Sequence, residues 1–213
     1  LGDVIDDFDA VLYVWHGGSQ IGNAVANIVF GKVSPSGKLP VSIPRCTGQI
    51  PIFYNFPPSA RDNDGYYDDR QINYWDESGT PLFPFGFGLS YTDFSYSSPT
   101  ADKKEISLEQ LKNNDCFTIS VTVKNVGGVT AKETVQCYIR DCLASMTRPL
   151  KELKGFEKIE LKSGEEQEIK FRIGLNELGF YKPDGTYIVE KGTFKIYIGS
   201  DCLTQEFTEV NVI

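Results

Sequence analysis

Twelve consecutive residues, Pro81-Leu-Phe-Pro-Phe-Gly-Phe-Gly-Leu-Ser-Tyr-Thr92, restrict this chain more than any other stretch. They combine aromatic side chains with proline and glycine. A segment with a helical hydrophobic period precedes them, and a segment with a period of two follows. Burying one large apolar side chain gains about 1.5–3 kcal/mol, so a strip this apolar reads as a packed seam rather than a solvated loop. Two parts of different architecture must then meet across it.

The first part opens with a continuous apolar run of strand length, Asp-Ala-Val-Leu-Tyr-Val-Trp at 9–15. Such a run fits a parallel strand buried on both faces. After the His16-Gly-Gly-Ser-Gln20 turn, Ile21, Ala24, Val25, Ile28 and Val29 share one helical face. Ser19 stands where an N-cap is expected, and Gly31 where a helix stops. One strand–turn–helix unit cannot bury its own sheet, so the remaining strands are expected upstream or in another chain. Ser34-Pro-Ser-Gly-Lys-Leu-Pro-Val-Ser-Ile-Pro44 excludes helix and holds the backbone extended or turning. Residues 55–80 are polar, rich in Asp, Tyr and Asn and without a period, which describes a long surface loop.

From about residue 113 the apolar positions alternate. Phe117, Ile119, Val121 and Val123 form one set, and Val135, Cys137 and Ile139 the next. Ile169, Phe171 and Ile173 follow, then Phe194, Ile196 and Ile198. Turns are expected at Val126-Gly-Gly-Val129, Ser163-Gly164 and Pro183-Asp-Gly185. About seven short strands in ~100 residues describe an immunoglobulin-like sandwich. The expected organisation is an α/β fragment over 1–75, a linker and seam over 76–112, and an all-β sandwich over 113–213.

Composition removes several functions. The formal net charge is −8, and the one adjacent basic pair, Lys103-Lys104, is followed by Glu105. No cationic footprint for nucleic acid is present. No apolar run reaches about 18 residues, so no membrane-spanning helix is expected. The start, Leu1-Gly-Asp-Val-Ile-Asp-Asp, has neither a basic nor an apolar leader region and no initiator Met, so the chain reads as a fragment or a processed piece. The five cysteines, Cys46, Cys116, Cys137, Cys142 and Cys202, lack a compact spacing. They read as free thiols, which leans toward a reducing, cytoplasmic setting; neither a metal site nor a cofactor is expected.

Four ordered motifs are similar to glycoside hydrolase family 3. Gly22-Asn-Ala-Val-Ala-Asn-Ile-Val-Phe-Gly31 with Val33-Ser-Pro-Ser-Gly-Lys-Leu-Pro-Val-Ser-Ile-Pro44 resembles its G-x-A-x-A-x-x-L-F-G … N-P-S-G-K-L-P-x-T-x-P run. Gln49-Ile-Pro-Ile-Phe-Tyr-Asn55 resembles Q-x-P-x-Y-Y-N, and the seam resembles PLYPFGYGLSYT. Thr147-Arg-Pro-Leu-Lys-Glu-Leu-Lys-Gly-Phe156 resembles T-R-P-x-K-x-L-K-G-F. Two departures stand out: His16-Gly-Gly-Ser-Gln-Ile-Gly22 replaces a P-G-x-E-G-G turn, and Ser34 replaces Asn. The resemblance implies the end of an α/β sandwich domain followed by a fibronectin type III-like domain. It implies retaining hydrolysis of terminal non-reducing β-D-glucosyl or xylosyl residues, which needs two carboxyl groups about 5–5.5 Å apart. In the family the nucleophile is an Asp of a TIM-barrel domain, and the acid/base lies before the part seen here. No catalytic residue is therefore assigned to this chain. The implied partners are a β-linked oligosaccharide or glycoside and a TIM-barrel domain of the same protein.

Candidate residues concentrate in the polar stretch. Asp62, Asp64, Asp68, Asp69, Asp76 and Glu77 read as solvated carboxylates without a calcium-loop pattern. Arg61, Tyr66, Tyr67, Tyr74 and Trp75 are candidates for the rim of a sugar pocket, because aromatic rings stack on sugar faces. His16 follows a buried-type strand and reads as structural. Ser19 lies too close on the same turn, with no third group to orient a catalytic pair. Gly17-Gly18-Ser19 matches neither a dinucleotide fingerprint nor a P-loop. The alternative reading of the whole chain is a non-catalytic carbohydrate-binding or interaction module.

Overall fold

The computed structural model describes residue 2, residues 4–58 and residues 76–213. Its dominant unit is a sandwich of two sheets. In the first, β4 (Phe117–Asn125) is central. It pairs on one side with β7 (Glu166–Ile173) and on the other with β1 (Phe94–Tyr96) and β2 (Thr100–Ala101), all antiparallel. The second sheet runs in the order β3 (Glu105–Ile106), β11 (Phe207–Val212), β10 (Gly192–Gly199), β5 (Ala131–Asp141), β6 (Glu152–Leu161). Within it, β3–β11 is the parallel pair. A small hairpin of β8 (Phe180–Tyr181) and β9 (Tyr187–Ile188) stands apart.

The alternation expected over 117–123 is the observed burial pattern. Phe117, Ile119, Val121 and Val123 point into one core with Val135, Cys137, Ile139, Phe194, Ile196 and Ile198. Register couples this face across strands, with Ile119 opposite Phe171 and Val121 opposite Ile169. A one-residue slip would expose the whole set, so burial fixes the pairing. The turns also lie where expected: Gly164 and Gly185 adopt φ of 77° and 81°, which glycine tolerates without a Cβ penalty. Residues 94–106, assigned to the linker from sequence, carry three short strands that pair with β4 and β11.

The first part holds one longer helix, α1 (Ile21–Val29). It ends in a Schellman arrangement: Lys32 N–H donates to Asn27 O and Gly31 N–H to Ile28 O, both at 2.8 Å, with Gly31 at φ 69°. The capping residue differs from expectation. Ser19 lies inside a 3-10 turn, Gly18–Gln20, that runs straight into α1, and Gln20 occupies the cap position with its Oε1 accepting from Asn23 Nδ2 at 2.8 Å rather than from a helix N–H. The larger difference concerns residues 9–15, which form no strand. Val11, Leu12, Tyr13, Val14 and Trp15 are exposed, Trp15 by 51%. The physical reason is that a strand is held by its ladder, and no described strand lies beside this segment. Two further short helices, α2 (Leu108–Lys112) and α3 (Leu175–Leu178), close one end of the sandwich. The fold is thus an α/β-type fragment followed by an immunoglobulin-like sandwich.

Candidate functional site at the junction

The seam residues do not pack alone. Residues 39–43 lie alongside 82–87 through five main-chain bonds, one of them from Phe83 N–H to Ile43 O at 3.3 Å. Leu39 N–H donates to Phe87 O, Gly86 N–H to Leu39 O, Ile43 N–H to Phe83 O and Leu82 N–H to Ile43 O, each at 2.8 Å. The three prolines around this stretch leave few N–H groups to pair, and those at Leu39 and Ile43 are both used. Seam and sandwich then join through a second apolar cluster, in which Ile52, Tyr54, Phe56, Phe85 and Leu153 surround Tyr138, Tyr197 and Cys202. Tyr54 stacks on Phe85 with centroids 4.1 Å apart, and its hydroxyl accepts from Leu153 N–H at 3.1 Å.

Two glycines permit this approach. Gly86 adopts φ 82°, and a Cβ there would sit 2.3 Å from Gln136 Oε1. Gln136 Nε2 donates to Gly86 O at 3.1 Å, so the backbone of the seam lies directly on β5. A Cβ on Gly88 would stand 2.3 Å from Gly37 O.

A buried ion pair crosses the same junction. Lys38 Nζ lies 3.2 Å from Glu133 Oε1, with the side chains 12% and 5% exposed. Lys38 also donates to Gly88 O at 3.1 Å, and the Tyr96 hydroxyl donates to Glu133 at 2.8 Å. Burial, reinforced by the Glu133 charge, pushes the Tyr96 phenol far above its ordinary range, so it stays a donor. Nearby, Lys151 Nζ donates to Cys202 O and Thr204 O and stands 4.3 Å above the Tyr197 ring. Burial lowers its pKa to about 8.

The base of the polar stretch is clamped. Gln49, almost fully buried, donates through Nε2 to Ser78 O and Thr80 O at 2.8 and 2.9 Å. Its Oε1 accepts from Arg45 N–H at 2.7 Å, and Arg45 donates through Nε to Thr80 O at 3.0 Å. Glu77 is occupied structurally, accepting from Ser78 N–H at 2.9 Å. Asp76 is exposed. The rim candidates Arg61, Tyr66, Tyr67, Tyr74 and Trp75, and the carboxylates Asp62, Asp64, Asp68 and Asp69, lie outside the described residues. His16 is solvent-exposed rather than packed behind a strand, because the strand before it has not formed. Among the described residues no three His, Cys, Asp or Glu side chains group closely enough to hold a metal ion.

Sequence reasoning singled out the motifs but not the roles of Lys38, Gln49, Glu133 and Lys151. Only the Lys in Pro-Ser-Gly-Lys-Leu-Pro carried a signal, as a cation set in an otherwise apolar, proline-rich run.

A helix-bearing α/β piece is thus sealed by an aromatic seam onto an immunoglobulin-like sandwich. Residues 3–91 match the glycosyl hydrolase family 3 C-terminal domain, and residues 133–202 the fibronectin type III-like domain. The chain belongs to glycoside hydrolase family 3, as the C-terminal portion that carries these two domains. Among curated relatives, a beta-xylosidase of Formosa agariphila is 41% identical over 209 residues, covering 98% of this chain and 27% of that protein. A periplasmic beta-glucosidase of Salmonella typhimurium is 42% identical, covering 91% of this chain and 25% of that protein. A β-glucosidase structure from Erythrobacter marinus superposes with a TM-score of 0.88 at 39% identity, covering 99% of this chain and 26% of the other. One from Listeria innocua, in complex with laminaribiose, gives 0.88 at 32%, covering 99% and 29%. The chain therefore spans about a quarter of the length of the proteins it matches.

Proposed function

We propose that this chain is the C-terminal part of a retaining β-glycosidase that hydrolyses terminal non-reducing β-D-glucosyl or β-D-xylosyl residues. It supports the α/β domain and supplies one wall of the sugar pocket. The observation that carries this reading is the contrast at residues 9–15. An apolar, strand-length segment stands exposed, while the other side of the same part is sealed onto the sandwich. That geometry suits completion by further strands, with the sandwich as a rigid clamp.

Within this reading, the Gln49–Arg45 clamp holds the base of the stretch that carries Arg61, Tyr66, Tyr67, Tyr74 and Trp75. Those side chains form the rim against which a sugar ring stacks. The nucleophile and the acid/base come from elsewhere in the protein, the nucleophile from a TIM-barrel domain. The likeness to β-glucosidases and β-xylosidases supports glucosides and xylosides as the substrate class.

The test is complementation. The chain alone should leave p-nitrophenyl β-glucoside and β-xyloside intact. Co-expressed with the remaining three quarters of a relative, it should restore turnover, and Trp75→Ala in that assembly should raise KM. Turnover by the chain alone would overturn the proposal.

A further inference from the structure

At the end of the sandwich where β4 begins and β7 ends, α2 and α3 leave an open cleft of about 240 Å³. It lies at the opposite end of β4 from the Thr92–Asn125 hydrogen bond, roughly 26 Å away along a nine-residue strand. Drug-sized ligands occupy clefts of about 300–1,000 Å³, so this one suits a single small ring. We propose that it binds one neutral sugar ring.

The lining carries unspent hydrogen-bonding capacity. The side-chain carboxamides of Asn114 and Asn176 line the cleft without a hydrogen bond to any described residue, and each offers two donors and an acceptor. Arg172 spends Nε and Nη2 on Cys116 Sγ at 3.4 and 3.2 Å, and a thiol is a weak acceptor that a hydroxyl oxygen readily replaces. Glu177 uses Oε2 to accept from Gly174 N–H at 2.8 Å, which leaves Oε1 for a ligand. These planar groups can each span two neighbouring hydroxyls.

Charge and shape narrow the ligand class. Arg172 and Glu177 balance, and Lys103 holds both oxygens of Asp115 at 3.0–3.1 Å, so the lining favours no net charge. No aromatic ring lines the cleft, so recognition rests on its hydrogen-bonding groups, and the half-buried Leu175 offers the apolar contact for the C–H face of a pyranose. The walls are also preset. Asn114 is held at φ 64° with its N–H on Leu111 O at 3.1 Å, and the Gly174 contact fixes Glu177.

The experiment titrates the full 213-residue chain with methyl β-D-glucopyranoside and methyl β-D-xylopyranoside by calorimetry and ligand-observed NMR, with sodium acetate as the anion control. The expected result is saturable binding of at least one glycoside in the millimolar range, with none of acetate. Gly174→Leu should block the cleft: Gly174 has φ −133°, open to any residue, and a Cβ there meets Asp115 O and Cys116 Cβ at an ordinary 3.6 Å. Asn176→Ala should weaken binding by about tenfold. If Gly174→Leu fails to fold, Asn176→Ala alone decides. Absence of saturable binding, or affinity unchanged in the folded variants, overturns the site. The choice of glycosides rests on the glycosidase reading above. A chain that binds neither yet completes an active enzyme would remove the site and keep that reading, and binding without assembled activity would do the reverse.

Discussion

Residues 9–15 are more apolar than β4, six residues of seven against four of nine, yet it is β4 that forms a strand. In β4 every second side chain is buried, and both edges of the strand are paired. Residues 9–15 form no strand and leave Val11 to Trp15 exposed. Apolar composition therefore does not make a strand; a strand exists where neighbours supply its ladder and cover its faces. The sandwich contains its own neighbours, and the first part has them on one side only, at the seam.

The largest effect should follow from breaking the self-sufficient half. Phe117→Ala removes a fully buried ring between the sheets and should cost about 3–5 kcal/mol, read by urea denaturation. A loss below 1 kcal/mol would mean that the sandwich core is not the stabilising unit.

Next comes the junction. Glu133→Ala leaves Lys38 buried without its carboxylate and should cost about 3 kcal/mol. The triple variant Lys38→Met/Glu133→Leu/Tyr96→Phe should recover most of that loss, because it replaces the ion pair by apolar groups and also removes the phenol that would lose its acceptor. Gly86→Ala meets both a positive φ and the Gln136 side chain, so about 1–3 kcal/mol is expected there. Its signature should be loosening of the seam, seen as faster amide exchange at Leu39 and Cys202.

A pH experiment sharpens the same junction. Lys151 has its pKa lowered by burial from 10.5 to about 8. Between these values the unfolded chain binds more protons than the folded one, so this group's contribution to stability rises with pH from about 8 upward. The buried phenols oppose it above pH 10, because the folded state holds their protons longer. Lys151→Met should therefore flatten the stability slope between pH 8 and 10. An unchanged slope would remove Lys151 as its source.

The smallest effect is expected where composition alone would forecast a large one. Leu12→Ser and Val14→Ser should change the stability of this chain by no more than about 0.5 kcal/mol, since exposed positions contribute little.

These contrasts mark what a reader of the sequence can reach. The period of two over Phe117–Val123 and the glycine turns were legible, because burial and backbone sterics act on adjacent residues. The helix over Ile21–Val29 and its stop at Gly31 were legible for the same reason. Strands β1 to β3 were not, since two or three residues carry no period. Residues 9–15 were read as a strand because the pattern records what such a segment does when neighbours are supplied. The junction was half-legible: the aromatic seam announced a packed surface, but the pairing of Lys38 with Glu133 joins positions far apart in the chain. Gln49 gave no hint beyond its motif, because the bonds described above join it to main-chain N–H and C=O groups, which nearly any residue could offer. The cleft at Asn114 and Asn176 had no signal, being assembled from four separate elements. The rim candidates at 61–75 stay as expectations carried by residue type.

Amide hydrogen exchange on this chain addresses the central claim most directly. The account predicts that amides of residues 10–15 exchange at nearly unprotected rates, while those of Ile119 to Val123 exchange only through global unfolding. On assembly with the remaining part of a relative, residues 10–15 should become as protected as β4. Protection of residues 10–15 equal to β4 in the chain alone would contradict the account, because that segment would then already have the neighbours the account says it awaits.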